Sequence, residues 1–362
     1  MRALFFIVAA ALALVQASSE AADTPTVQLA LDGAADLSPV YPTVIIPANE
    51  HDFVVIFNYG DRQNHHIATK FLPIDATGPF RITTEARAEA FPTPDGARFL
   101  MRQPFLTDIP VGRWTMAAEV DDKVVGSVEF KVVPPATVLK LSSPVELVGS
   151  LSKGTEWTYR FRLLAEPRPG LKMKLDEIRD ADAQGWFKTT LLQRIISLDP
   201  EGARREQRRG NGPAESAWLA ATDRGLALTR QDSGDSPQTV EPAQLMVLSP
   251  NEQFHRSWQW HEKDTDPELS QKYQMWGPLP LQTPQGERSG YVVLQRIPDP
   301  DDPTKVATSV EYEYAPGLGL VHEVVVNPIR GADAAARIEL DLATMTRGSG
   351  PEPEVRPYKD SP

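Results

Sequence analysis

The chain has 362 residues, a mass of 40.0 kDa, a formal net charge of −12 and no cysteine. Its length predicts two domains, and its acidic balance leaves no overall positive field to attract nucleic acid. The lack of cysteine excludes disulfides, thiol nucleophiles and cysteine-based zinc sites. The 33 prolines predict many loops and short strands rather than long helices.

Residues 1–22 have the pattern of a secretory signal peptide. Arg2 supplies a positive charge, residues 3–15 form an apolar stretch too short to span a bilayer, and small residues at Ala17, Ala21 and Ala22 offer cleavage sites. No later segment has the apolar length of a membrane helix. We therefore expect an exported protein with no transmembrane segment after signal removal. The predicted location is the periplasm, with secretion as the alternative.

Residues 24–135 contain a succession of short strand patterns. The clearest is a hairpin with Trp114, Met116 and Val120 on one face of its first arm, residues 124–132 on its second arm, and a turn at residues 121–123. The stretch FLTDIPVGRWTMAAEVDDKVVGSVEFKV resembles the immunoglobulin-like modules of bacterial exported proteins. This segment is therefore predicted to be an immunoglobulin-like antiparallel β-sandwich, with one short helix around residues 84–91.

Residues 136–146 are predicted to be a linker, because Pro134 and Pro135 favour an extended connection. Residues 147–346 follow as a second β-rich domain. Its segments SLSKGTEWTYRF, LMVLSP, SWQW, PLPLQTPQGERSGYVVLQRI and YEYAPGLGLVHEVVV occur in an order that resembles the TapB family of exported bacterial proteins. The resemblance implies a curved antiparallel β-sheet and no established catalytic residues. The whole chain is thus predicted to be mainly β, and residues 347–362, which lack an apolar period, to be a disordered tail.

The last hairpin of the second domain combines a Pro-Gly-x-Gly turn with a histidine–glutamate doublet. Gly317 can adopt the positive φ of the turn, and Gly319 suits a crowded bend. Side chains alternate along a strand, so His322 and Glu323 point to opposite faces and cannot act as a pair.

Two sets of residues are candidates for binding. The aromatic candidates are Trp258, Trp260, Tyr273, Trp276 and Tyr291, which can either contact a ligand or fill a core. The candidates for a polar site are Asp61, His65, His66, His255 and His261, with a polar turn and a half-buried strand as the alternatives. His255 and His261 are too far apart on one strand, at about 20 Å, to share a metal ion. We therefore predict no catalytic residue, no metal and no cofactor.

These observations leave three functional hypotheses. The first is a non-catalytic envelope protein that serves recognition or assembly through a protein partner, because both domains are rich in strands whose edges can pair. The second is a carrier that encloses a lipid or another small apolar ligand in the curved sheet. The third is a metal-dependent hydrolase that uses His255, His261 or His322 with nearby acids.

Overall fold

The structure is a computed structural model, and it describes residues 27–60, 65–78, 87–93, 96–102, 105, 107–135, 139–141, 143–164, 181–232, 237–251, 253–328 and 335–359. The predicted signal peptide and Asp61 lie outside the described residues. Within the described ranges, no helix is long and apolar enough to span a membrane. The mainly β fold predicted from the sequence is confirmed.

The strands of the first domain form two packed sheets. The strands are β1 Val27–Gly33, β2 Pro39–Pro42, β3 Ile45–Pro47, β4 Val54–Tyr59, β5 Ile67–Pro73, β6 Arg87–Thr93, β7 Gly96–Arg102, β8 Gly112–Val120 and β9 Lys123–Val133. One sheet has the order β2-β1-β4-β7-β6 and the other has the order β3-β9-β8-β5. Neighbouring strands are antiparallel except β3 and β9, which are parallel.

The core between these sheets is made by large alternating side chains. Phe53 and Phe57 from the first sheet share one buried cluster with Trp114, Met116 and Phe130 from the second. The predicted hairpin is confirmed as β8 and β9. Its turn residues, Asp121 and Asp122, both have positive φ (49° and 64°), as a tight two-residue hairpin turn requires.

The second domain is one long antiparallel sheet. Its strands are β10 Glu156–Leu164, β11 Trp186–Asp199, β12 Gly202–Arg209, β13 Ala214–Thr222, β14 Gly225–Asp232, β15 Pro237–Leu248, β16 His255–Trp260, β17 Gln271–Thr283, β18 Gly286–Asp299, β19 Asp302–Ala315, β20 Gly319–Pro328 and β21 Ala335–Thr346. Their order is β15-β14-β13-β12-β11-β10-β21-β20-β19-β18-β17-β16. A 3₁₀ turn, Pro267–Leu269, precedes β17.

This sheet is curled so that it nearly closes on itself. Burial raises the pKa of Tyr312 on β19, and Arg205 on β12 lies close enough to counteract this effect. In the order of the sheet, however, four strands lie between β12 and β19. The face that carries these two residues is therefore the inner face. Residues directly opposite in the register share that face, which places Tyr273, Gln295 and Glu323 inside as well.

The two ends of the curled sheet, β15 and β16, are joined by tryptophan side chains. The Nε1 of Trp258 donates a hydrogen bond to the carbonyl oxygen of Leu245 at 2.9 Å, and that of Trp260 donates to the carbonyl oxygen of Pro242 at 2.8 Å. We call this line of contact the seam. It satisfies strand-edge carbonyls that would otherwise lack a partner.

A short helix connects the two domains. This helix, α1, spans Pro144–Leu147, begins at a Ser143 cap and buries Val145 and Leu147 in the same cluster as Trp157 and Leu226. The sequence patterns did not predict it, since four residues are too few to show a helical period.

Two local predictions are wrong. The short helix expected around residues 84–91 is instead strand β6 in its described part. The end of the chain, expected to be disordered, contacts the sheet as far as it is described. Glu352 accepts a hydrogen bond from the backbone N–H of Leu151 at 2.8 Å, and the Tyr358 hydroxyl donates to the carbonyl oxygen of Ala243 at 2.7 Å. Single polar anchors of this kind leave no periodic signal in a sequence.

The β19–β20 turn has the glycine geometry expected from the sequence. Gly317 (φ 79°) has open space around an added Cβ, whereas a Cβ on Gly319 (φ 86°) would lie 2.5 Å from the carbonyl oxygen of Val148. Both residues have a left-handed backbone conformation, but only at Gly319 would an added Cβ also overlap a neighbouring backbone atom.

We predict that Gly319→Ala lowers the free energy of unfolding by about 3 kcal/mol, because it combines left-handed strain with steric overlap. The matched change Gly317→Ala should cost about 1 kcal/mol, since only the strain applies. Chemical denaturation of both variants measures the two costs. Equal losses of unfolding free energy in the two variants would contradict the claim that a side chain at position 319 overlaps its neighbours.

Candidate functional site

The joint between the two domains is built around one buried carboxylate. Asp32 ends the apolar run of β1, and its side chain is 1% exposed. Arg102, at the end of β7 in the same domain, donates to its Oδ1, and Arg296 on β18 of the second domain reaches the same oxygen at 2.7 Å. Arg296 also donates to the carbonyl oxygen of Gly33 at 2.9 Å. A cation from each domain therefore meets one anion.

The charges in this joint stabilise one another. Burial by itself would raise the pKa of Asp32, but the Arg296 and Arg102 guanidiniums outweigh it and hold that pKa below its ordinary value. Burial would likewise lower the pKa of Arg102, yet Asp32 and Asp52 raise it. Asp32 and Arg102 therefore both stay charged across the physiological pH range, so their contact persists there.

Further hydrogen bonds cross the same interface. The backbone N–H of Ala35 donates to Ser309 Oγ at 2.8 Å, and that of Tyr41 donates to Glu311 Oε1 at 2.9 Å. The Tyr41 hydroxyl donates to the carbonyl oxygen of Pro280 at 2.6 Å. Leu31, Ala34 and Val40 belong to the same buried cluster as the core of the second domain. The two domains are therefore packed together through both polar and apolar contacts.

A cleft of about 1740 Å³ opens beside this joint. One wall is formed by residues 89–92 of β6, the outermost strand of its sheet. The other wall is formed by residues 257–259 of β16 and 272–274 of β17, and the hairpin at residues 299–307 forms the rim. Because its walls belong to different domains, the shape of the cleft depends on the joint.

The cleft is lined by both signs of charge, with an excess of acids. The acidic lining residues are Asp32, Asp52, Glu89, Asp299, Asp301 and Asp302, and the basic ones are Arg102, Lys272, Arg296 and Lys305. Three of the four cations are already paired with carboxylates of the same cleft. The lining therefore favours a ligand that carries positive charge.

The aromatic candidates do not form one exposed platform. Trp258 and Tyr273 stack with ring centroids 5.0 Å apart and both line the cleft, and Trp260 belongs to the seam. Trp276 is fully buried and stacks on His255 at 4.7 Å, and Tyr291 is 2% exposed. Trp258 is partly buried, so ligand contact stays a prediction for it, whereas Tyr273 and Trp276 are both fully buried.

The polar candidates lie in separate places. His65 Nδ1 is 2.7 Å from Asp121 Oδ2, at the β8–β9 turn, and the backbone N–H of His66 donates to the same carboxylate at 3.0 Å. His255 Nδ1 is 3.5 Å from Glu50 Oε1, between the domains. His261 is exposed after β16. The residues that the structure describes include no group of three or more His, Cys, Asp or Glu that could hold a metal ion.

The histidine–glutamate doublet separates as predicted. His322 lies opposite Glu313 and Asp341 on the outer face of the sheet, and its Nδ1 is 2.8 Å from Asp341 Oδ1. Glu323 lies opposite Tyr312 on the inner face. Burial opposes protonation of His322, but Asp341, Glu313 and Glu311 together raise its pKa to about 9.

The residues that matter most at the cleft, Asp32, Arg102 and Arg296, were not predicted from the sequence. Each follows a run of mostly apolar residues, in LALD, FLMR and YVVLQR. A charge in such a run needs a partner once the strand is buried. That signal marks the three residues but does not say that they meet.

The carboxyl group of Glu311 at the joint should make stability depend on pH. Burial and the neighbouring Glu313 raise its pKa to about 7, from an ordinary value of 4.5, although His322 and Arg337 oppose this. The folded state therefore holds this proton more tightly than the unfolded state does. Its stabilising contribution is complete below about pH 4.5 and is lost as the pH rises through 7.

We predict that Glu311→Gln raises the free energy of unfolding by about 2 kcal/mol at pH 8 and changes it little at pH 5, because glutamine keeps an acceptor for Tyr41 but never ionises. Denaturant unfolding at both pH values measures this. The exposed Glu215→Gln is the control and should have no effect. A Glu311→Gln variant with the pH dependence of the unmodified protein would contradict the prediction.

Comparison with known proteins identifies no family. No family model and no curated protein matches the chain, so the resemblances to the TapB family and to immunoglobulin-like modules stay predictions. A candidate lipoprotein structure from Parabacteroides distasonis aligns at 11% identity over 55% of this chain and 98% of its own, with a TM-score of 0.25. A candidate exported protein with a YmcC-like fold from Bacteroides fragilis aligns at 11% identity over 54% and 96%, with a TM-score of 0.24. At these TM-scores, neither alignment supports a conclusion about this chain.

Proposed function

We propose that this protein is an exported, non-catalytic recognition or assembly protein of the bacterial envelope, and that it binds an extended segment of a protein partner in the cleft between its domains. The observation that carries the proposal is the position of β6. This strand is the outermost strand of its sheet, and four consecutive residues of it line the cleft.

An edge strand offers a row of backbone donors and acceptors to a partner. β6 pairs with β7 on one side, and no strand of the described residues pairs with its other side. An extended peptide can add to such an edge through main-chain hydrogen bonds, while contacts of its side chains provide specificity. Here those side chains would contact the cleft walls.

The charge of the cleft specifies the kind of segment. Glu89 lies on β6 itself, and the carboxylates of the rim hairpin, Asp299 and Asp301, line the same cleft. A segment that carries lysine or arginine would match this lining, because complementary charge guides encounter and register. The partner segment is therefore extended and basic.

Export and a non-catalytic role are supported by two separate observations. The apolar segment at residues 3–15 supports export to the periplasm, with secretion as the alternative. The described histidine–carboxylate contacts, at His51, His65, His255 and His322, involve four different carboxylates and do not converge on one centre. This supports a binding role over the metal-dependent hydrolase.

The carrier hypothesis finds less support than the recognition hypothesis. The inner face of the curled sheet is filled by large side chains such as Tyr159, Phe161, Met275 and Leu340, each at most 5% exposed. A lipid chain would need space between these groups. The cleft, in contrast, has the polar lining that suits a peptide.

Site-specific photo-crosslinking in cells tests the proposal. A photoreactive amino acid at position 89 or 272 should capture the same protein partner, whereas one at the exposed Arg208, outside the cleft, should not. With the probe at 272, Glu89→Lys should lower the yield about tenfold, because it places like charges together. Absence of a common partner at the two cleft positions, or an unchanged yield with Glu89→Lys, would contradict the proposal.

A further inference from the structure

The seam between β15 and β16 ends at an arginine, Arg256, that does not continue the pattern of side-chain hydrogen bonds from β16 to β15. Arg256, Trp258 and Trp260 are successive inner-face residues of β16. The two tryptophans donate to carbonyl oxygens of β15. Arg256 occupies the next position along the seam, beyond the end of β15 at Leu248. Its guanidinium makes no comparable hydrogen bond to β15 among the described residues.

The surroundings of Arg256 contain little that balances its charge. Its guanidinium contacts the sulfur of Met275 at 3.5 Å, and among the described residues no carboxylate lies within ion-pair distance. Burial lowers its pKa, and Tyr291 offsets this only in part. A half-buried cation without an anion lowers the stability of a fold, so its presence calls for an explanation.

A second cleft, of about 710 Å³, opens at this arginine. We call it the seam pocket. It is lined by Arg224 from the β13–β14 turn, by Ser249 and Asn251 from the loop after β15, and by His255 and Arg256. The hydroxyl oxygen of Ser249 is buried without a hydrogen-bond partner. Among the described residues, the pocket therefore combines a cation that has no carboxylate partner with a hydroxyl group that has no hydrogen-bond partner.

Other charged groups near the pocket do not supply the missing anion. Asp223 also lines it, and its Oδ1 accepts the backbone N–H of Tyr358 at 2.7 Å. The carboxylate of Glu50 lies 3.5 Å from the Nδ1 of His255. Arg224 lies over the Tyr358 ring, with its Cζ 5.1 Å from the ring centroid.

We propose that the seam pocket binds an oxyanion of the phosphate type, held by the guanidinium of Arg256 and by the hydroxyl of Ser249. Guanidiniums present paired N–H donors that match the oxygens of a phosphate, and a hydroxyl supplies a further donor. The ligand can be a free phosphate compound or the phosphate headgroup of a lipid. The site adjoins the cleft between the domains, with Ser257 lining both, but it does not depend on a partner there.

Calorimetry with the purified mature protein tests this site. Inorganic phosphate at low ionic strength should bind saturably, with sodium chloride as the ionic control. Arg256→Gln should weaken binding at least tenfold, because a charge-assisted hydrogen bond is lost, and Ser249→Ala should weaken it about fivefold. The control Arg208→Gln removes the same charge from the exposed end of β12 and should leave binding unchanged.

Thermal unfolding without phosphate separates a binding role from a structural one. If Arg256 serves a ligand, Arg256→Gln should unfold at the same temperature as the unmodified protein or higher, since an unpaired charge is removed. If that variant fails to fold, Arg256 is structural and the proposal is wrong.

Vesicles of phosphatidylcholine with and without phosphatidic acid identify the source of the phosphate. Binding that needs phosphatidic acid and Arg256 would assign the site to a lipid headgroup, and binding of inorganic phosphate alone would assign it to a free compound. Both results support the oxyanion site. Failure of both probes to bind, or binding that Arg256→Gln leaves unchanged, would overturn it.

Discussion

The rest of the structure depends on the contact of Asp32 with Arg102 and Arg296, because this contact fixes how the two domains sit against each other. One buried carboxylate receives a cation from each domain. Removing one partner from such a group leaves an unpaired buried charge, which costs about 3–5 kcal/mol. The contact therefore contributes orientation more than net stability. Because the cleft walls come from both domains, this contact also fixes the position of one wall relative to the other.

A fixed cleft changes what binding costs. Two domains that move relative to each other would lose conformational entropy when a partner binds. Domains that are already fixed in place do not have this cost. The edge of β6 is then held at a constant distance from β16 and from the rim hairpin. This is the physical reason to propose the cleft, rather than either domain alone, as the recognition site.

The seam gives two of the six tryptophans in the second domain a structural role. Trp258 and Trp260 use their indole N–H groups in place of backbone pairing between β15 and β16. The sheet closes without a regular hydrogen-bonded ladder at this point, and a gap remains where the tryptophans end. Arg256 and the seam pocket occupy that gap, so the contacts that close the sheet also shape the proposed oxyanion site.

The sequence predicts the local structure of this protein better than its long-range contacts. The β8–β9 hairpin, the crowded bend at Gly319 and the opposed faces of His322 and Glu323 all follow from alternation and turn chemistry within a few residues. The joint does not, because Arg296 and Gly33 are 263 positions apart and no local pattern links them. The tryptophans illustrate the same limit: the composition shows a surplus, but only the fold shows that their N–H groups join two strands.

The distance between the domains in solution tests the central claim most directly. Because the chain has no cysteine, Val124→Cys on the first domain and Leu192→Cys on the second would carry the only two spin labels, both at exposed positions. Pulsed electron resonance should give one narrow distance distribution. Asp32→Asn should broaden it, while the control Asp75→Asn, in an exposed ion pair within the first domain, should not. A broad distribution in the protein with Asp32 intact would show that the domains swing and would contradict the preformed cleft.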